Sequence, residues 1–181
     1  MKTNSVLGKG SLFRVLALAA TLGITLSDVV SAGDLVPYQG VVEGQIVNSE
    51  GTVTGEAIQV ASHLGKGVQQ YDGGEISFDD PSFDITLTKG AALSVAANGD
   101  VLLLEYSLYG YFVSLTEIVY EGTYTIQPGG TGRFDFPSGV DLGTGEIVGR
   151  ATVDGDTGVL SFEHTFEGTL YSVGAGRGSK K

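Results

Sequence analysis

Beyond residue 32, no stretch of useful length repeats its apolar side chains at helical spacing. Short runs of β-branched and aromatic residues, separated by Gly, Asn and Asp, recur instead along the chain. That pattern specifies an all-β fold. The runs predict strands over Tyr38–Val47, Val53–Ala61, Gly67–Tyr71, Phe83–Thr88, Leu93–Ala97, Val101–Val113, Glu121–Ile126, Gly145–Val153 and Gly158–Tyr171. Two connections are marked by turn chemistry. Asn98-Gly99 joins Ala97 to Val101, and Asp154-Gly155-Asp156 joins Val153 to Val159, where Gly and Asn supply the positive φ that tight hairpins need. Strand and turn alternate with no helix between them, so a meander is the simplest topology. Eight or so strands in a meander lose their exposed edges by closing into a barrel.

Side-chain alternation adds detail. In Val101–Tyr111, Leu102, Leu104, Tyr106 and Leu108 share one face, and Val101, Leu103, Glu105, Ser107, Tyr109 and Tyr111 share the other. Both faces carry apolar bulk. This predicts a filled or ligand-holding interior with something packed outside, such as another subunit or the loop at Phe78–Phe83. In Gly158–Tyr171 the faces separate cleanly. Leu160, Phe162, His164, Phe166 and Gly168 read as buried, and Val159, Ser161, Glu163, Thr165 and Glu167 as wet.

Residues 1–32 carry the three parts of a secretory signal: Lys2, Lys9 and Arg14, then the apolar run Val15–Leu26, then small residues at Val30-Ser31-Ala32. The run is 12 residues, too short at about 1.5 Å per residue to cross a hydrocarbon core of about 30 Å. Cleavage is expected after Ala32, an uncleaved anchor being the alternative. The expected organisation is therefore signal peptide 1–32, β domain 33–173 and flexible tail 174–181, in a protein exported to the periplasm or the medium. No other apolar stretch is long enough to span a bilayer as a helix, so no membrane insertion of the mature chain is expected.

Cleavage removes three of the 10 cations and one of the 21 acids, leaving 7 and 20, a net charge of -13 on 149 residues. An acidic surface of this kind argues against nucleic acid and anionic lipid as partners. The chain has no Cys, which removes disulfides, thiolate zinc sites and a cysteine nucleophile.

Gly129-Gly130-Thr131-Gly132-Arg133-Phe134, followed by Gly139, resembles the glycine turn of the allene oxide cyclase and dirigent-protein superfamily, especially its secreted bacterial members. Ser62-His63-Leu64-Gly65-Lys66, Ala96-Ala97-Asn98-Gly99-Asp100 and Gly122-Thr123-Tyr124-Thr125-Ile126 resemble further pieces of that group in the same order. The resemblance covers about Tyr38 to Tyr171. It implies an eight-stranded antiparallel up-and-down barrel with an apolar central cavity, often trimeric in the plant members, and carries over no catalytic set by motif. Within the turn, Phe134 is expected to plug a barrel end while Arg133 bonds a carbonyl or carboxylate. A phosphate cradle here would need a following Lys-Ser or Lys-Thr pair and a helix, and neither is present.

Titratable candidates are few. Glu105 shares a mainly apolar face with Leu103, Tyr109 and Tyr111, so a cavity on that side would raise its pKa and make it an acid or base. The plain alternative is a Glu105 pointing outward or paired with a cation. His164, between Phe162 and Phe166, reads as a neutral core histidine with one hydrogen-bond partner and, secondarily, as a catalytic candidate. His63 lies in a turn and reads as solvated or capping a strand end. Tyr106, Tyr109, Tyr111 and Tyr124, with Tyr120, are candidate ligand-binding residues. Asp154-Gly155-Asp156 and the group Asp79, Asp80, Asp84 offer oxygen ligands for calcium but lack the twelve-residue loop. No resident metal or cofactor is expected. The reading is a secreted, non-catalytic β-barrel that binds a small apolar ligand or serves a structural role. The alternative is a cyclase or isomerase acting on an apolar substrate in the cavity. A strand with two apolar faces leaves room for a homo-oligomer.

Overall fold

Eight strands follow one another along the chain: β1 (Asp34–Ser49), β2 (Thr52–Ala61), β3 (Gly65–Asp79), β4 (Asp84–Val95), β5 (Val101–Phe112), β6 (Glu117–Gln127), β7 (Thr144–Val153) and β8 (Val159–Ser172), with a 3-10 turn at Gly132–Phe134. The computed structural model describes residues 34–50, 52–79 and 84–172, the side chains of 73, 75–79 and 84–89 excepted. The expected signal peptide 1–32, the expected tail 174–181 and the residues Asp80 and Phe83 lie outside the described residues. Among those described there is no α-helix, and no helix long and apolar enough to cross a membrane.

Each strand pairs antiparallel with the next, and β8 returns to β1 in an unbroken register from Asp34↔Ser172 to Val47↔Val159. The single sheet thus closes in a ring, so its strands present no long unpaired edge.

Nine predicted runs become eight strands because the runs Phe83–Thr88 and Leu93–Ala97 merge into one strand, β4, whose described extent is Asp84–Val95. Its register on β5 slips between Leu87 and Gly90. Gly90 is required there by a close approach, since a Cβ would lie 2.1 Å from Tyr106 Cζ. On β3, Gly73 is the extra residue where Val53 faces Gly74 and Thr54 faces Asp72. The run Gly67–Tyr71 therefore continues to Asp79. The two slips lie side by side across the β3–β4 pair.

The predicted hairpins are in place. Gly99 adopts φ 87° between β4 and β5. Between β7 and β8, Asp154 Oδ1 accepts the amides of Asp156 and Thr157 at 2.9 and 3.2 Å. These two bonds hold the Asp154 carboxyl below its ordinary range. The left-handed residue of that turn is Gly158, φ 71°, rather than Gly155.

The two ends of the ring differ. The β6–β7 connection folds over one end, where Phe134, Phe136, Leu142 and Tyr171 are buried. Phe134 to Phe136 and Phe136 to Tyr171 pack edge to face at 6.0 and 5.8 Å. Arg133 Nε meets Asp100 Oδ2 at 3.2 Å, and its guanidinium lies over Phe134, 5.1 Å from the ring centroid. Inside this end, Tyr38, Tyr124 and Phe166 fill the space, with centroids 4.8–6.0 Å apart. At the opposite end, inward residues such as Ile46, Leu108, Tyr120 and Leu160 are only partly buried.

Candidate functional site

The partly buried end encloses a cavity of about 310 Å³. Six strands supply its wall: Ile46 and Asn48 from β1, Tyr71 from β3, Tyr106, Leu108 and Phe112 from β5, Ile118 and Tyr120 from β6, Ala151 and Val153 from β7, and Leu160, Phe162 and His164 from β8. Strand alternation explains the membership, because every second residue of each strand faces inward. Tyr71, Tyr106 and Phe162 are the deepest large rings of the wall. Tyr71 packs edge to face with Tyr106 at 5.8 Å and with Phe162 at 5.4 Å.

A polar pair is set into this apolar wall. Tyr120, Gly149 and His164 stand in one cross-strand row over β6, β7 and β8. Gly149 leaves the middle of the row empty of side chain, since a Cβ would fall 2.5 Å from His164 Cβ and 2.6 Å from Tyr120 Cζ. Tyr120 Oη therefore reaches across to His164 Nδ1 at 3.1 Å and lies 3.4 Å from the Glu163 carbonyl. The hydroxyl satisfies both contacts by donating to the carbonyl and accepting from Nδ1–H. In that tautomer Nε2 is an acceptor. Phe162 stacks on the imidazole with centroids 5.6 Å apart.

Burial penalises charge on all these groups. It pushes His164 down to about 4 and Tyr106 up to about 12, and it raises Tyr71 and Tyr120 as well. At neutral pH the described side chains of the wall are uncharged. Tyr71 Oη donates to Gln69 Oε1 at 3.0 Å, and Asn48 Oδ1 is buried with no partner among the described residues.

The sequence-derived candidates divide accordingly. His164 faces inward as a neutral histidine with a hydroxyl partner, and Tyr106 and Tyr120 line the cavity. Tyr124 also faces inward but sits in the filled half against Tyr38 and Phe166, away from the cavity wall. Tyr109 and Tyr111 point outward, 47% and 48% exposed. The same alternation turns Glu105 outward, where its carboxylate accepts from Gln127 Nε2 at 3.3 Å. Glu105 thus takes the outward alternative, and the loop expected as one possible cover for this face falls on residues outside those described. His63, with φ 68°, places Nε2 3.1 Å from the Pro37 carbonyl, and Ser62 Oγ accepts the Gln39 amide at 3.0 Å, so this turn ties the start of β1 to the end of β2. No cluster of metal-ligating side chains occurs among the described residues.

Asn48, Tyr71 and Phe162 were not singled out by sequence as site residues. Phe162 alone had a usable signal, its place on the clean apolar face of β8. No family model, curated protein or solved structure matches this chain significantly.

Proposed function

We propose that the mature protein is an exported, non-catalytic binding protein that holds one small apolar molecule in the cavity beside Tyr120 and His164. The observation that carries this reading is the cavity itself. At about 310 Å³ it falls at the lower end of the size range of ligand pockets, and its wall is apolar with a few converging polar atoms. The allene oxide cyclase and dirigent-like resemblance points the same way, because an eight-stranded meander around an apolar cavity is what that superfamily implies. Export rests on the tripartite pattern of residues 1–32, and the protein recovered from the periplasm or medium should have the intact mass of a chain starting at Gly33.

The catalytic alternative, a cyclase or isomerase, rests on the Tyr120–His164 pair. With the histidine at about 4 and the tyrosine raised by burial, both are uncharged hydrogen-bonding groups near pH 7. Proton transfer works best with a pKa close to the operating pH. Glu105, the other candidate, lies on the outer face. Binding is therefore the better-supported function.

The test is titration of the mature protein with a small, neutral, environment-sensitive probe such as 1-aminonaphthalene, compared with an Ala151→Leu variant. Ala151 is buried in the cavity wall, so added methylenes there occupy ligand space. Saturable binding by the native protein, weakened at least about ten-fold in a variant with the same circular dichroism, is expected. Equal binding by both proteins would refute the cavity as the site.

A further inference from the structure

We infer that the ligand of this cavity is uncharged and carries a hydroxyl group that donates to acceptors in the wall. This rests on the binding reading above and adds the chemical class. Three observations converge on it.

The first is the wall's composition. Among the described residues of the wall none is Lys or Arg, and the only basic side chain among them, His164, sits between the rings of Tyr120 and Phe162. A carboxylate or phosphate entering here would lose its hydration and meet no compensating cation, at a cost of several kcal/mol.

The second is the polarity of the hydrogen-bonding atoms. Tyr120 Oη is occupied by the Glu163 carbonyl and His164 Nδ1, and Tyr71 Oη is used on Gln69. What remains includes two acceptors, His164 Nε2 in the tautomer that satisfies both Tyr120 contacts, and Asn48 Oδ1, buried and without a partner among the described residues. A buried acceptor without a donor costs about 1–3 kcal/mol, so a ligand O–H that supplies the donor is selected over an isostere that does not.

The third is the charge around this end of the ring. Among the described residues, the β1–β2, β5–β6 and β7–β8 connections and the strand residues beside them bear Glu50, Glu117, Asp154 and Asp156 and no Lys or Arg. An anion approaching this end is repelled before it reaches the wall.

Size sets the remaining limit. At about 30 Å³ per water-sized unit, 310 Å³ admits on the order of ten non-hydrogen atoms. A medium-chain or cyclic alcohol fits.

The experiment is displacement of 1-aminonaphthalene, a neutral fluorescent probe small enough for this volume, from the mature protein at pH 7.5 by 1-decanol, its ether isomer 1-methoxynonane, and decanoate. We expect decanol to bind about ten-fold or more tightly than either of the others. In His164→Phe and Asn48→Leu variants whose circular dichroism matches the native protein, the decanol advantage over the ether should shrink in at least one. Decanoate binding as well as decanol overturns the uncharged-ligand inference, and the ether matching decanol overturns the hydroxyl donor, each leaving the cavity reading in place. Displacement by none of the three overturns the cavity reading itself.

Discussion

Acidification should destabilise this protein through His164, because its burial favours the neutral imidazole. The imidazole is buried, its neighbours are neutral tyrosine and phenylalanine rings, and burial pushes it down to about 4. The carboxylate of Glu163 on the same strand lies on the outer face and is paired with Arg150. In the unfolded chain the histidine titrates near 6.5. Below that value the unfolded state takes up a proton that the folded state refuses until about pH 4, so His164 costs no stability above pH 7 and progressively more as the pH falls toward 4. At pH 4.5 the difference is about 2.5 kcal/mol, from about 1.36 kcal/mol per pKa unit over the part of the gap then traversed. Carboxylates titrate in the same range, so the assay is a comparison. Urea unfolding midpoints are measured at pH 7.5 and 4.5 for the native protein and for His164→Leu. The native protein should lose about 2.5 kcal/mol more than the variant between the two pH values, on the order of 5–10 °C in Tm for a chain of this size. Equal losses would mean that the folded protein binds the proton readily. The Tyr120–His164 pair would then be open to water, and the argument for a dry, uncharged wall would fail with it.

Two further outcomes follow from the same geometry. Gly149→Ala puts a methyl 2.5 Å from the Glu163 carbonyl and 2.6 Å from Tyr120 Cζ; it should destabilise by about 1–3 kcal/mol in urea unfolding and shift the Tyr120 absorbance on alkaline titration. A Gly149→Ala variant of native stability would show that the row is looser than described. Glu105→Gln, on the outer face, should change stability by less than about 0.5 kcal/mol and leave 1-aminonaphthalene binding unaltered. Weakened dye binding would place Glu105 back in the site.

The degree to which the sequence foretold these positions varied for physical reasons. In β8 the alternation is unambiguous because Ser161, Glu163, Thr165 and Glu167 leave only one face able to be buried, and His164 follows from it. In β5 both faces carry Leu and Tyr, so hydrophobicity alone does not choose between them. The period of two was still informative. Tyr106 and Tyr109 are three residues apart on one strand and so cannot share a face, which makes Tyr106, Tyr109 and Tyr111 impossible as a single set of pocket residues. The bulges at Gly73 and Gly90 were read as strand ends because glycine looks the same in a turn and beneath a tyrosine ring. Tyr71, Asn48 and Phe162 meet only when β1, β3 and β8 are brought together by closure of the sheet, and no local pattern encodes that meeting.

The cavity is a consequence of how one packing device is used at two depths. In the filled half, Tyr124 lies over Gly145 and Gly168, and the space beyond is taken by Tyr38 and Phe166 at centroid distances of 6.0 and 5.8 Å. Four residues earlier on β6, Tyr120 lies over Gly149 in the same manner, but the strand that follows offers His164, and the polar contact holds the tyrosine against the wall instead of letting it lean inward. Ala151 and Val153 continue β7 with smaller side chains, and the rings of Tyr71, Tyr106 and Phe162 pack together beneath the space. A hydrogen bond between two wall residues thus takes the place of an aromatic contact across the interior, and the volume that contact would have filled remains open. The residues that keep the space open are therefore among those that give it its polar character. This is why binding capacity and the chemistry of the ligand should change together when either Tyr120 or His164 is replaced.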